Sequence, residues 1–136
     1  MPRYWVNFSK RSKYYISKHA FLTVLHYCMQ FGEWEEEYKL SAGLRGVQSN
    51  TSPSGVGDPT AAQAIRLKEL SERIDLIRRT AYEAEPSIHP FLLRGVTVEG
   101  MTFDMLKAQG IPCERKMYYD RRRKFYWMMS CRLHLN

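Results

Sequence analysis

The chain has 136 residues, a net charge of +7 and 44% hydrophobic residues. This composition predicts a folded domain with its own core and excludes general disorder. No apolar run approaches the roughly eighteen residues of a membrane span, and residues 1–5 lack the apolar core of a secretory signal. We therefore expect a cytoplasmic protein with no membrane partner.

Basic residues are concentrated at the two ends of the chain. Residues 1–32 carry five Lys or Arg and no acid, and residues 113–136 carry seven against two acids. Between them, residues 33–112 carry nine Lys or Arg and twelve acids, a net charge of −3. Clustered cationic ends favour a polyanionic partner such as nucleic acid, although a soluble protein with uneven surface charge is the alternative.

The first part of the chain, residues 1–44, is predicted to be a basic helical arm or hairpin. Ser17 is suited to cap a helix whose apolar residues recur at helical spacing as far as Phe31. The glutamates that follow favour a second helix starting near Glu33, with one long helix as the alternative. Residues 45–59 are rich in Gly, Ser and Pro, and we predict a flexible linker there.

Residues 60–136 are predicted to form a helical domain. Its clearest helix has a start signal at Asp58 and Pro59 and is expected to end before Pro86. An apolar seam runs along one side of this helix, with residues at alternating spacings of three and four: Leu67, Leu70, Ile74, Ile77 and Ala81. Such a seam is typical of a bundle or a short coiled coil, so a homodimer is one expectation. The next helical stretch is expected to end with Gly95 as its C-cap.

A pair of helices joined by a short turn is predicted near the C-terminus. Thr102 is expected to cap the first helix, Gly110 to form the turn, and Pro112 to be the first residue of the second helix. Ile111 is the kind of residue that locks two helices against a third. A turn of three to four residues with a glycine is typical of a helix-turn-helix, here within about residues 102–133. The predicted fold class is therefore all-α, a helical bundle with a C-terminal helix-turn-helix.

The second helix of this pair has an apolar face and a basic face. Tyr118, Phe125 and Met129 share a stripe that is expected to face the core. Five residues of the basic face are predicted to contact DNA: Arg115, Lys116, Tyr119, Arg122 and Arg123. The first residues of a recognition helix read base edges in the major groove, and neighbouring cations bind phosphates. We expect Arg115 or Arg122 to bridge guanine O6 and N7, and the Lys and Tyr side chains to bind phosphate oxygens.

The same part of the chain resembles a known family, through residues 101–106, 110–112 and 118–125. These are similar to small phage-encoded transcriptional regulators, the RinA/ArpU-like late-gene activators, whose C-terminal part is similar to DNA-binding region four of sigma factors. The resemblance covers about residues 60–135. It implies transcription control of phage genes in a bacterial host, with promoter DNA and RNA polymerase as partners. One residue does not fit this resemblance: Glu114 places an acid at the start of the predicted recognition helix, where a phosphate would approach.

Two other functions stay open. The first is a phage protein that binds a host protein, such as RNA polymerase or a defence nuclease of the CRISPR effector type. The methionines of the C-terminal part favour it, because a Met-rich surface is an adaptable protein-binding face. The second is a small terminase-like subunit, which combines a DNA-binding unit with oligomerising helices.

No residue pattern suggests catalysis or a cofactor. The three cysteines, Cys28, Cys113 and Cys131, are odd in number and form no Cys-x-x-Cys pair, which argues against a disulfide framework and a zinc site. Cys113 is expected at a helix N-terminus beside Arg115 and Lys116, a setting that lowers the pKa of a thiol, but no catalytic base accompanies it. The four histidines lack metal-ligand spacing. We predict neither enzymatic activity nor a metal or cofactor.

Overall fold

A computed structural model of the chain describes residues 10–51 and 60–135. Within these ranges the chain forms α-helices and one 3-10 helix and no β-strand, which confirms the all-α prediction. The α-helices are α1 (Lys18–Met29), α2 (Phe31–Thr51), α3 (Ala61–Ala84), α4 (His89–Thr97), α5 (Phe103–Ala108) and α6 (Arg115–Arg132). The 3-10 helix, Pro86–Ile88, directly precedes α4. Among the helices of these ranges, none is long and apolar enough to cross a membrane.

The chain divides into two compact units. The first unit comprises Met1–Gln30 and Ile77–Asn136, and the second comprises Phe31–Leu76. This division differs from the predicted arm of residues 1–44, because α1 belongs with the C-terminal helices whereas α2 does not. Along the chain, the boundary between the two units falls directly after Gln30, the C-cap of α1.

The predicted linker, residues 45–59, overlaps with a helix. α2 continues to Thr51, so the first seven residues of that segment are helical. Residues 52–59, including the expected helix start at Asp58 and Pro59, lie outside the described residues.

The start of α3 is fixed by a reciprocal pair of hydrogen bonds. The Thr60 hydroxyl accepts from the backbone N–H of Gln63 at 3.1 Å, and the Gln63 side-chain oxygen accepts from the backbone N–H of Thr60 at 2.9 Å. This capping box satisfies two N–H groups that have no partner inside the helix. The end of α3 at Ala84 agrees with the predicted stop before Pro86.

The apolar seam of α3 is confirmed for four of its five residues. Leu70, Ile74, Ile77 and Ala81 are buried, and only Leu67 is partly exposed. Leu70 and Ile74 belong to the second unit, and Ile77 and Ala81 to the first. The seam therefore contributes apolar surface to both units.

In the second unit, ion pairs and ring contacts join α2 to the N-terminal part of α3. Two guanidinium nitrogens of Arg66 donate to the two carboxylate oxygens of Glu37 at 2.7 and 2.8 Å. These hydrogen bonds hold the pKa of Glu37 below its usual value. The guanidinium of Arg73 lies 5.3 Å from the ring centroid of Trp34, within cation–π range.

The core of the first unit is built by α1, α4 and α6, and α1 packs on both of the others. The predicted inward stripe of α6 is confirmed, since Tyr118, Phe125 and Met129 are all buried. Tyr126, on the neighbouring stripe, is buried as well, and its ring meets that of Phe21 edge-on with centroids 4.9 Å apart. α6 is thus held along much of its length.

The prediction for Gly95 is wrong. α4 does not end there but continues to Thr97, and Gly95 is a buried residue in the helix. A Cβ atom at this position would overlap the hydroxyl oxygen of Tyr118 and lie 3.1 Å from its Cζ. Gly95 therefore permits the close approach of α4 and α6.

Candidate nucleic-acid interface

The structure confirms the predicted N-cap of α5. The Thr102 hydroxyl accepts a hydrogen bond from the backbone N–H of Met105 at 3.2 Å. This bond satisfies one of the N–H groups at the start of the helix that lack an intrahelical partner. α5 has only six residues, so its cap is a large part of its local stabilisation.

Thr102→Ala is expected to destabilise the protein by about 1 kcal/mol, because the Met105 N–H loses its partner. Urea unfolding followed by circular dichroism measures the change. Thr23→Ala is the matched control: the Thr23 hydroxyl donates to the His19 carbonyl inside α1, so its loss leaves no helix-end group unpaired. Equal unfolding free energies for the two variants would contradict the capping role.

The C-terminus of α5 is closed by a glycine turn. Gly110 has a φ of +97°, in the left-handed region that glycine adopts without strain. The N–H of Gly110 donates to the Lys107 carbonyl at 3.0 Å, and the N–H of Ile111 donates to the Leu106 carbonyl at 3.1 Å. These are the two bonds of a Schellman motif. Ile111 is also buried, which agrees with its predicted locking role.

The connection from α5 to α6 is longer than predicted. Pro112 is not the first residue of the second helix, since α6 begins at Arg115 with Glu114 as its N-cap. The turn ties Ile111 back to α5, a bend follows at Pro112 and Cys113, and Glu114 has an extended backbone directly before the helix. Six residues, 109–114, therefore join the two helices instead of three to four.

The five predicted contact residues lie on two sides of α6. Arg115, Tyr119 and Arg122 line an open cleft of about 650 Å³ that is also bordered by α1 and the segment between α4 and α5. Lys116 and Arg123 line a second, shallower groove of about 520 Å³. Arg115 and Lys116 are exposed, whereas the other three are partly buried.

Two residues of α5 hold Arg115. Its Nη2 atom donates to the Asp104 carboxylate at 2.7 Å, and its guanidinium carbon lies 5.0 Å from the ring centroid of Phe103. Neither Asp104 nor Phe103 is among the residues predicted for the site. Their contacts with Arg115 form only across the connection, so no local spacing indicates them.

Arg122 packs against aromatic rings. Its guanidinium carbon lies 5.7 Å from the ring centroid of Tyr119 and 5.3 Å from that of Tyr126. Cation–π contacts of this kind stabilise a partly buried guanidinium. Arg122 is partly buried beside these rings, whereas Arg115 is exposed.

Acidic residues form ion pairs with two arginines of α6. Arg121 pairs with Glu85 at 3.0 Å and with Asp120 at 3.4 Å. Arg123 pairs with Asp120 at 3.7 Å. The Glu85 pair joins α6 to an acid from the net-negative middle of the sequence. In the part of the chain that the structure describes, Lys116 forms no ion pair with a carboxylate.

The expectation of a lowered thiol pKa at Cys113 is wrong. Burial raises the pKa of this thiol, and the negative charge of Glu85 raises it further. A raised pKa disfavours the reactive thiolate. Across residues 10–51 and 60–135, no cluster of three or more His, Cys, Asp or Glu side chains is placed to hold a metal ion.

Charge is divided unequally between the two units. The first unit has 16 Lys and Arg against 6 Asp and Glu, a net charge of +10. The second has 5 against 8, a net charge of −3. The unit that contains α6 is therefore strongly attractive to polyanions.

Comparison with known proteins gives no relative. No model of a protein family matches the chain, and no curated protein or solved structure matches it either.

Proposed function

We propose that α5, the connection and α6 form a helix-turn-helix that binds duplex DNA in the major groove. The observation that carries this proposal is the exposure of Arg115 and Lys116 in the first turn of α6. The rest of the helix is anchored in the core by Tyr118 and Phe125. A rigid helix that projects cations from its N-terminal end is the arrangement that a recognition helix needs.

The dimensions of α6 suit this role. Its 18 residues correspond to a length of about 27 Å. The major groove is about 12 Å wide and about 8.5 Å deep, so it admits an α-helix. The partial positive charge of a helix N-terminus adds to the attraction for phosphate.

We propose different roles for the cations at this end of α6. Arg115 is the proposed base reader, because Asp104 and Phe103 already hold its guanidinium and less side-chain freedom is lost on binding. Lys116, which is exposed and has a flexible side chain, is the proposed phosphate contact. Tyr119, on the side of Arg115, and Arg123, on the side of Lys116, are proposed to bind phosphates on either side of the helix.

The proposed biological role is transcription control of phage genes, with promoter DNA and RNA polymerase as partners. Two features support it: the resemblance of residues 101–125 to RinA/ArpU-like activators, and the net charge of +10 on the unit that contains α6.

Selection from random-sequence duplexes at about 50 and 200 mM salt tests the proposal, because phosphate contacts weaken steeply with salt. We expect one sequence motif to be enriched at both salt concentrations. A palindromic motif would indicate that two copies bind together. Binding at low salt without any motif would reduce the function to charge-driven binding. No binding at about 50 mM salt would favour a host protein as the partner.

Asp104→Ala is expected to raise affinity for unrelated duplexes about two- to fivefold and to weaken discrimination between bases. The substitution removes a negative charge beside the proposed DNA-binding surface and releases Arg115 from its ion pair. Because this ion pair is exposed, its energy is small and the expected gain in affinity is modest. Fluorescence anisotropy with matched and mismatched duplexes measures both quantities. Asp75→Ala, an exposed acid of the second unit, is the control with the same charge change. If both variants behave alike, Asp104 has no specific role.

A further inference from the structure

A second cationic surface lies where the chain enters α1. Lys10, Lys13 and Lys18 are all exposed there. Within residues 10–51 and 60–135, no carboxylate pairs with these three ammonium groups. None of the three lysines is among the proposed DNA contacts of α6.

This segment, residues 10–18, is anchored to the first unit. Ile16 is buried in the core, with 1% of its surface exposed. The Ser17 hydroxyl accepts from the backbone N–H of Ala20 at 3.3 Å and caps α1. The ring of Tyr14 lies against that of Trp127 on α6, with centroids 5.7 Å apart. The lysines are therefore held in place relative to α6.

Lys13 marks the point at which the segment meets α6. Its ammonium nitrogen lies 5.4 Å from the ring centroid of Tyr14, within cation–π range. Lys13 also borders a shallow groove of about 460 Å³ together with Trp127 and Leu135. One cation of the segment is thus placed directly beside the C-terminal half of the helix.

Trp127 connects this segment to the proposed DNA surface. It lies on the same stripe of α6 as Lys116 and Arg123, at helical spacings of eleven and four residues. Eleven residues correspond to about 16 Å along the helix. Because the major groove is only about 8.5 Å deep, a helix with its tip in the groove leaves Trp127 outside, beside the phosphate backbone.

We propose that residues 10–18 bind the phosphate backbone of the duplex whose major groove receives the tip of α6. The inference rests on the proposed function and adds a second point of attachment to it. Two separated contacts, one in the groove and one on its rim, fix the orientation of the helix on DNA. The rim contact carries no sequence information, because phosphates are the same at every base pair.

The double variant Lys10→Gln/Lys13→Gln tests this role while keeping much of each side-chain stem. We expect the slope of log affinity against log salt to fall by about two units, since each phosphate contact contributes about 0.9. Between about 50 and 200 mM salt, the variant should lose roughly tenfold less affinity than the wild type. The preferred base sequence should stay the same.

Lys39→Gln/Lys68→Gln is the matched control, because both lysines are exposed, belong to the second unit and carry the same total charge. Its salt slope should equal that of the wild type. An equal fall in both double variants would assign the effect to net charge and overturn the inference. An unchanged slope for Lys10→Gln/Lys13→Gln would also overturn the inference. In that case, weaker binding by Arg115→Ala would still support α6 as the DNA-binding element. If the wild type binds no duplex, the proposed function itself fails and the inference falls with it.

Discussion

Gly95→Ala is expected to destabilise the protein by about 2 kcal/mol, although alanine is the better helix former. The added methyl group would overlap the Tyr118 hydroxyl oxygen, and Tyr118 is only 1% exposed, so its ring has little room to move. Overpacking of this kind costs up to about 3 kcal/mol. The helix propensity of alanine offsets about 1 kcal/mol of that cost.

Urea unfolding of Gly95→Ala, Tyr118→Phe and the double variant tests the contact. Phenylalanine lacks the overlapping hydroxyl, so the double variant should recover about 1 kcal/mol relative to the sum of the single changes. Gly43→Ala in α2 is the control, since no atom lies within 4 Å of its added Cβ, and it should gain up to about 1 kcal/mol. Equal stability of Gly95→Ala and Gly43→Ala would show that α4 and α6 do not meet closely at Gly95.

The same contact connects stability to the proposed function. Tyr118 lies three residues after Arg115, so a displaced ring shifts the first turns of α6. Gly95→Ala should therefore weaken DNA binding even in the folded fraction, and Tyr118→Phe should restore much of it.

Arg115→Ala is expected to reduce affinity for the preferred duplex by about 1–3 kcal/mol and to relax preference at one base pair. In affinity this is roughly a 5- to 150-fold loss. The physical reason is that the proposed contact, two hydrogen bonds from one guanidinium to one base, has no substitute in alanine. Equilibrium binding to the preferred duplex and its single-base variants measures both effects.

Lys116→Ala gives the contrasting result for a phosphate contact. It should weaken all duplexes about equally and reduce the salt slope by about one unit. Arg66→Ala is the control for both variants, because Arg66 is held by Glu37 in the second unit. Each variant must keep its helical circular dichroism. If folded Arg115→Ala and Lys116→Ala both bind like the wild type, α6 does not enter the groove.

Arg122→Ala separates a base contact from a structural one. Arg122 packs on Tyr119 and Tyr126, so its removal is expected to lower the unfolding free energy. Loss of preference at one base pair in the folded variant would keep Arg122 as a base reader. Uniformly weaker binding with lower stability would place it among the residues that support α6.

Local patterns determined much of this fold. Ser17 and Thr102 form caps, and Gly110 forms a turn, because each depends on hydrogen bonds or backbone angles within a few residues. The buried stripe of Tyr118, Phe125 and Met129 follows from the helical repeat of 3.6 residues. The sequence alone therefore predicted the all-α class and the inner face of α6.

Contacts between distant segments decided the rest. Local rules indicate a helix stop at Gly95, but the approach of Tyr118, 23 residues later, requires glycine inside the helix. Asp104 reaches Arg115, and Arg122 turns onto Tyr126, only once the helices are packed together. Spacing on one helix gives the angular position of a side chain but not what stands opposite it. For that reason the sequence assigned the basic residues to α6, and only the tertiary structure divided them between two sides of the helix.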